Sequence, residues 1–244
     1  MDEYTELPRD VRLLWGLADA PRRGRRPKLT VEAITAAAIE VADENGLDAV
    51  SMSRVAKQLG SATMALYRHV QSKDELLTLM ADAIADPPAL ESGMDWRADL
   101  TRLVQTLLDM LRQHPWYIRI PISGPPVGPG NLAWLDRMLA SMSKTPLAEA
   151  EKLGVVMGLM NLIHGELRLS VDLAAGYASD PEAFNQYGKA LELLVDPRKM
   201  PALAQLVEAG VFTGELDYTE DAQEDFAFAL ARYLDGVATY MTAR

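Results

Sequence analysis

The run from Arg22 to Glu75 constrains the fold of this 244-residue chain more than any other segment. A basic stretch opens the run, and apolar residues then recur at the 3.6-residue spacing of an α-helix. Thr30 can cap the first helix, and Asn45-Gly46 can end it because glycine adopts the left-handed backbone conformation without strain. The run therefore predicts a basic arm, one helix, two short helices and the start of a further helix.

A tight turn at Gly60 separates the two short helices, and we expect a positive φ there. Ser51 or Ser53 begins the first of them, and Ser61 or Thr63 begins the second, which has barely two turns. The predicted inward-facing residues of this pair are Val55, Ala56, Leu59, Leu66 and Val70.

The sequence from Ser72 to Glu75 predicts the start of the next helix, which continues through Ile84. It fits a capping box, in which the Ser72 side chain accepts from the Glu75 amide and the Glu75 carboxylate accepts from the Ser72 amide. Lys73 would then lie at the positive end of that helix.

Charge is distributed unevenly along the chain. Residues 21–73 hold nine Lys and Arg against five Asp and Glu, a net charge of +4, which leaves −15 for the rest of a chain whose total is −11. A basic segment attached to an acidic body suits a protein that presents one surface to DNA phosphates and turns the other away.

The remaining sequence also predicts helices, and no segment shows the sustained two-residue alternation of a strand. We therefore predict an all-α fold, with a domain boundary near residues 86–94, where Pro87, Pro88 and Gly93 interrupt the pattern. A loop at 121–130, dense in Pro and Gly, should not be helical. The predicted later helices are Asp95–Gln113, Asn131–Ser143, Ala148–Ala174, Pro181–Val195, Lys199–Glu208 and Thr219–Thr242.

Two short helices with a glycine turn also occur in plain helical hairpins, so the pattern alone leaves that alternative open. The basic arm, the cluster Tyr67-Arg68-His69 and Lys73 favour DNA binding. Residues 24–75 resemble the DNA-binding domain of the TetR family of bacterial transcriptional repressors. The matching motifs are Val55-Ala56, Leu59-Gly60 and Leu66-Tyr67-Arg68-His69-Val70, followed by Lys73.

The resemblance implies an N-terminal helix-turn-helix DNA-binding domain and a larger helical domain that binds a ligand and forms a dimer. The loop at 121–130 and the Asn-Leu-rich helix after it resemble the tetracycline-repressor-like C-terminal class. We assign residues 22–85 to the first domain and 95–244 to the second, and leave residues 1–21 as an extension without an assigned role. The implied partners are a double-stranded operator, a small effector and a second copy of the chain.

The resemblance places the second short helix in the major groove of the operator. There Arg68 could donate to a guanine and Ala65 could contact a thymine methyl, whereas Tyr67 and His69 suit phosphates. Lys73 would bind a phosphate, and the basic arm suits phosphates or the minor groove. The predicted DNA-binding residues are Arg22, Arg23, Arg25, Arg26, Lys28, Ser53, Thr63, Ala65, Tyr67, Arg68, His69 and Lys73.

The helix from Leu153 to Arg168 is apolar nearly all round, so we expect it to be buried. Its polar residues share one face and could line an effector cavity or be satisfied structurally. Rings before the 121–130 loop could border the same cavity, or simply fill the core, and a mostly apolar ligand would suit them. The predicted ligand-binding residues are His114, Trp116, Tyr117, Asn161, His164 and Arg168.

Gly154 and Gly158 permit a close helix approach, so we expect a dimer interface there, completed by the last helix, Phe226–Tyr240. Apart from a sensor, the sequence leaves open an enzyme that modifies small molecules or an architectural DNA-binding protein. No catalytic motif and no metal-binding spacing occurs among the three histidines, so we predict no enzyme, cofactor or metal. The absence of cysteine, signal peptide and membrane-spanning stretch predicts a cytoplasmic protein.

Overall fold

The structure, a computed structural model, describes residues 3–17, 29–89, 95–122, 124–182, 186–212 and 218–243. Every regular element in these ranges is helical, which confirms the predicted all-α fold. The chain divides into two compact units, Met1–Leu159 and Met160–Arg244. Within the described ranges, no helix is both long enough and apolar enough to cross a membrane.

The first unit contains the predicted helix-turn-helix. Its helices are α1 (Arg9–Leu14), α2 (Val31–Asn45), α3 (Met52–Gln58), α4 (Thr63–Leu66), α5 (Lys73–Ala83), α6 (Trp96–Gln113), α7 (Pro129–Ser141) and the first part of α8 (Glu149–Ser179). A short 3-10 turn, Pro115–Arg119, follows α6. The second unit contains the rest of α8, then α9 (Tyr187–Leu194), α10 (Pro201–Glu208) and α11 (Tyr218–Thr242).

Side-chain caps set the starts of α2 and α3, as the sequence predicts. Thr30 Oγ1 accepts from the Ala33 amide at 3.2 Å, and Ser51 Oγ accepts from the Arg54 amide at 3.2 Å. The expected positive φ at Gly60 is confirmed at 60°. Gly46 also has a positive φ, 79°, but its ψ of 164° takes it out of the left-handed helical region that we expected.

The capping box at the start of α5 is confirmed only in part. Ser72 Oγ accepts from the Glu75 amide at 3.0 Å. The Glu75 carboxylate accepts from the Gln71 amide rather than from Ser72, and its other oxygen pairs with Arg9. The sequence motif could not predict this arrangement, because Arg9 lies 66 residues away in the chain.

The core of the helix-turn-helix part is made of apolar residues from α2, α3, α4 and α5. Ile34 and Val41 of α2, Val55 of α3, Leu66 of α4 and Met80 of α5 are each at most 1% exposed. Helix α2 contacts α3 and α5, and α3 contacts α4. The short helices α3 and α4 are therefore held by packing, since their length gives little helical stability of its own.

Two predictions for the later helices need correction. The 121–130 loop was expected to be non-helical throughout, but α7 begins at Pro129, because proline is tolerated in the first turn of a helix, where its missing N–H is not needed. The stretch Leu153–Arg168 of α8 is apolar nearly all round and was expected to be buried, yet Leu153, Met157, Asn161 and Arg168 are exposed. These exposed residues form a stripe along α8, and its other faces supply the buried Val156, Leu159, Ile163 and Leu167.

Candidate nucleic-acid interface and effector site

Helix α4 turns Leu66 to the core, whereas Met64 in the helix and Tyr67 and Arg68 directly after it are exposed. Leu66 and Val70 are fully buried, and the amides of His69 and Val70 donate to the Leu66 carbonyl at 2.8 and 2.9 Å. These contacts fix the backbone of the segment from which Tyr67, Arg68 and His69 project. A fixed backbone is what a base-reading helix requires.

The predicted DNA-binding residues in the described ranges are all at least partly exposed. Ser53, Tyr67, Arg68 and Lys73 are exposed, whereas Thr63, Ala65 and His69 are half-buried. No described residue pairs with the side chain of Arg68 or Lys73, so both charges are available to a polyanion. The arm residues Arg22, Arg23, Arg25, Arg26 and Lys28 lie outside the described residues.

Met64 is a candidate contact that the sequence analysis missed. It lies in α4 between Thr63 and Ala65, and 71% of its side chain is exposed. A flexible apolar side chain at this position could contact a thymine methyl group, the role that we gave to the half-buried Ala65. The signal was present, because Met64 falls outside the inward spacing of Leu66 and Val70, but an isolated methionine is usually a core residue.

Asp43 joins the end of α2 to the 3-10 turn after α6. One of its oxygens accepts from Trp116 Nε1 at 2.6 Å and lies 2.7 Å from His114 Nδ1. The two rings are tilted against each other with centroids 5.6 Å apart. His114 and Trp116, both predicted to bind a ligand, therefore use these ring nitrogens to contact Asp43 of α2. Only the tertiary structure shows this role.

Asp82, near the end of α5, makes a second connection to the same region. Its buried carboxylate accepts from the Gly130 amide at 3.1 Å, the Asn131 amide at 2.9 Å and Asn131 Nδ2 at 2.8 Å. These donors lie in the first turn of α7, where a carboxylate is stabilised by free amides and by the helix dipole. A Cβ at Gly130 would collide with the carbonyl oxygens of Asp82 and Ala85, so glycine permits this close approach.

The charge of Asp82 also acts on Tyr117, in the 3-10 turn after α6. Burial raises the pKa of the Tyr117 phenol above its ordinary value of 10.0, and the negative charge of Asp82 raises it further. The phenol therefore stays protonated and can act as a hydrogen-bond donor across the physiological range. The ligand-binding role of Tyr117 stays a prediction.

The other three predicted ligand-binding residues belong to the second unit. Asn161 and Arg168 are exposed, which differs from the burial that we expected, and Arg168 Nε pairs with Asp172 at 3.5 Å. His164 is half-buried, and its Nδ1 lies 2.8 Å from the Met160 carbonyl one turn earlier. The helical spacing was right, but the direction in which the face points could not be obtained from spacing alone.

Trp134 of α7 is a further candidate in the first unit. The residue is buried, and no described group accepts a hydrogen bond from its Nε1. A buried unsatisfied donor is costly unless a ligand or water accepts from it. Among the described residues, no three His, Asp or Glu side chains are grouped so that they could hold a metal ion.

Comparison with known families and proteins identifies two regions of the chain. Residues 34–80 match the family described as bacterial regulatory proteins, tetR family, and residues 87–241 match the tetracyclin repressor-like C-terminal domain. The HTH-type transcriptional repressor DrrR1 of Streptomyces coeruleorubidus is 31% identical over 98% of this chain and 88% of its own length. An HTH-type transcriptional regulator of Saccharopolyspora erythraea is 30% identical over 73% of this chain and 75% of its own length.

Solved structures share the fold. ActR of Streptomyces coelicolor in complex with (S)-DNPA has a TM-score of 0.69 and 25% identity, covering 85% of this chain and 98% of that one. Apo ActR has the same TM-score, with 24% identity over 88% of this chain and 100% of that one. The family matches and these likenesses cover both the helix-turn-helix and the larger helical region. The chain therefore belongs to the TetR family of bacterial transcriptional regulators.

Proposed function

We propose that this protein is a ligand-responsive repressor, which binds a pseudo-palindromic operator as a homodimer and is released by a small, mostly apolar effector. One observation carries the DNA-binding part of this proposal. Helix α4 is fixed by the buried Leu66 and Val70, and the adjacent Arg68 is exposed with no described residue pairing with its charge. The curated relative DrrR1 is itself described as a repressor.

On the DNA, α4 lies in the major groove and Arg68 donates to a guanine, while Met64 contacts a thymine methyl. Ser53, Tyr67, His69 and Lys73 bind the phosphates on either side and fix the register of the helix. The basic arm before Thr30 adds sequence-independent affinity, which should fall with salt.

Two copies associate through apolar residues that the single chain leaves exposed on α8 and α11. Met157 of α8 is 53% exposed and Phe228 of α11 is 65% exposed. Gly154 of α8 and Gly236 of α11 have no neighbouring atom within 4 Å of an added Cβ, which leaves space for a partner helix. A two-fold dimer presents two α4 helices to two half-sites about one helical turn apart.

The effector site of this proposal lies in the first unit, beside the buried Trp134, whose Nε1 has no acceptor among the described residues. ActR, at 25% identity, holds the small molecule (S)-DNPA, which supports a small organic ligand for this chain. A site with rings and few polar groups suits a largely apolar ligand. The predicted roles of His114, Trp116, Asn161, His164 and Arg168 in effector binding stay predictions.

The link between effector and DNA runs through the two carboxylates that join the DNA-binding helices to the segment 114–131. Asp43 binds the 3-10 turn after α6, and Asp82 binds the first turn of α7. An effector that favours a different arrangement of this segment would shift α2 and α5 away from the DNA-competent state. By reciprocity, the effector must then bind more weakly to the DNA-bound protein.

Selection from a random duplex pool by the wild-type protein tests the proposal. We expect enrichment of an inverted repeat, and release of the selected duplex by compounds that raise the melting temperature of the protein. A protein that enriches no sequence is not an operator-binding repressor. Compounds that stabilise the protein without releasing DNA would favour the architectural alternative, and turnover of those compounds would favour the enzyme alternative.

A further inference from the structure

Helix α1, which precedes both family-matching regions, is attached to the DNA-binding helices. Its first residue, Arg9, pairs through Nη1 with Glu75 of α5, and Arg9 Nη2 donates to the His69 carbonyl at 3.1 Å. One guanidinium group therefore contacts the segment that follows α4 and the first turn of α5. The planar fork of arginine makes such a two-partner contact possible, whereas lysine offers a single point charge.

Glu75 extends this contact to the turn between the two helices. Its second oxygen accepts from the Gln71 amide, and its own amide donates to Ser72 Oγ at 3.0 Å. We call the group formed by Arg9, His69, Gln71 and Glu75 the Arg9 clamp. The clamp fixes the chain between Arg68, which we propose reads a base, and Lys73, which we propose binds a phosphate.

Helix α1 is itself held in place by contacts that do not involve the clamp. Leu13 is buried, and Trp15 Nε1 donates to the Val127 carbonyl at 2.8 Å. The helix ends at Leu14, and Gly16 follows with a φ of 63°, while the Leu17 amide donates to the Arg12 carbonyl at 2.7 Å. This pattern is a Schellman motif, which gives a defined helix end. Arg9 therefore projects from an anchored helix, and its position is set before DNA binds.

We propose that Arg9 is a positioning residue for DNA recognition. The clamp holds the end of α4 and the start of α5 in the one arrangement that lets base contacts and phosphate contacts form together. The inference rests on the proposed DNA-binding function and extends it to a segment that precedes the helix-turn-helix. It gives helix α1 a role in operator specificity.

A direct phosphate contact by Arg9 is the competing account, and the charge-preserving variant Arg9→Lys separates the two. A phosphate contact depends on the positive charge, which lysine keeps, so under that account Arg9→Lys should bind both duplexes and respond to salt like the wild type. A positioning role depends on the two-partner contact of the guanidinium and affects mainly the base contacts, so Arg9→Lys should weaken the selected duplex and leave the salt slope unchanged. For Glu75→Gln, the two accounts predict opposite changes in DNA affinity. The variant makes the surface more positive, which by electrostatics alone would tighten binding, but it also removes the partner of Arg9, which under the positioning account weakens binding to the selected duplex.

The experiment compares Arg9→Lys, Glu75→Gln and their double variant with the wild type. Arg12→Lys is the matched control, because Arg12 lies on the same helix and its Nε forms no hydrogen bond with a described residue. The probes are a duplex selected from a random pool by the wild type and an unrelated duplex of equal length. Fluorescence anisotropy at several salt concentrations measures both affinities, and circular dichroism confirms that each variant is folded at the assay temperature.

We expect each single variant to bind the selected duplex about tenfold more weakly, the size of effect that loss of one base contact produces. Binding to the unrelated duplex and the salt slope should stay at wild-type values, and Arg12→Lys should match the wild type throughout. The double variant should be no weaker than the single variants, because both remove the same clamp.

Wild-type binding of the selected duplex by Arg9→Lys overturns the inference, as does an equal loss on both duplexes. Tighter binding by Glu75→Gln assigns the pair an electrostatic role only. If Arg9→Lys and Glu75→Gln both unfold, the Arg9–Glu75 pair has a purely structural role, and the inference is likewise overturned. A wild-type protein that selects no sequence overturns the proposed function itself, and the inference with it.

Discussion

Arg68 and Lys73 lie five residues apart on one exposed surface, but DNA would use their charges differently. Arg68 follows a helix fixed by buried residues, so its guanidinium can reach one base pair in a defined geometry. Lys73 lies at the start of α5, where backbone amides also favour an anion. We therefore expect Arg68 to read the base sequence and Lys73 to bind a phosphate.

Arg68→Ala should cost about 1–3 kcal/mol of operator affinity and relax the sequence preference at one position of each half-site. Lys73→Ala is its matched control, because it removes an equal charge from the same surface. The Lys73 variant should weaken all duplexes similarly and lower the salt slope by about one. Binding-site selection and salt titration on both variants check this. An unchanged sequence preference in Arg68→Ala would show that Arg68 is a solvent-facing charge that reads no base.

Tyr117 is predicted to lower the stability of the fold at high pH. Its pKa is raised in the folded state, first by burial and second by Asp82, so the unfolded chain ionises at a lower pH than the folded one. Stability from this group is complete below about pH 10 and is lost as the pH rises towards the folded pKa. The free energy of unfolding should therefore fall less steeply above pH 10 in Tyr117→Phe than in the wild type.

Asp82→Asn separates the two causes of that shift. It should lower the pKa of Tyr117 only in part, because burial is the larger cause and stays in place. Titration of the tyrosine ring signals by NMR measures this directly. An unchanged Tyr117 pKa in the variant would show that the Asp82 charge does not act on the phenol.

At the scale of the elements, the cap of α7 comes from another helix. Asp82 of α5 replaces the local capping side chain that α7 lacks, since Gly128 precedes its first residue. The three N–H groups that bind Asp82 lose a buried acceptor when the carboxylate is replaced. A helix whose cap lies on another helix cannot move without that partner, which makes α5 and α7 respond together.

Asp82→Asn should lower the free energy of unfolding by about 1–3 kcal/mol, because its NH2 group replaces one of the two oxygens that accept from the N–H groups of Gly130 and Asn131. Asp86→Asn is the matched control, because it removes the same charge at an exposed position one turn away. Urea unfolding of the three proteins gives the comparison. Equal stability of the two variants would mean that the cap of α7 contributes little.

At the scale of the whole molecule, the exposed apolar face of α11 determines the expected assembly. Phe228 and Tyr240 remain exposed on a helix whose other face buries Leu230 and Leu234. Large exposed apolar residues beside a glycine with open space are typical of a helix interface between subunits. The proposed two-fold operator contact requires such an interface.

Gly236→Trp should therefore raise the dimer dissociation constant by at least tenfold, about 1.4 kcal/mol, without disturbing the single chain. An added Cβ at Gly236 has no atom within 4 Å among the described residues, so the described chain leaves open space at this position. Gly236→Ala is the size control and should stay dimeric. Sedimentation or light scattering at micromolar concentration measures both, and a monomeric wild type would contradict the arrangement.

The sequence by itself determined the features that depend on neighbouring residues. Thr30 and Ser51 cap the helices that follow them, Gly60 takes a positive φ, and Leu66 and Val70 point inward. Each of these follows from contacts within one or two helical turns, which spacing and residue type describe. The all-α fold and the resemblance to the TetR family rest on such local signals.

Only the tertiary structure decided the features that join distant parts of the chain. Arg9 reaches Glu75 across 66 residues, Asp82 caps a helix 48 residues later, and Asp43 binds rings that the sequence suggested for a ligand. The same holds for α8, whose apolar sequence could not show which face a single chain would bury. Helical period gives the faces of a helix, but only packing against other elements decides which face turns inward.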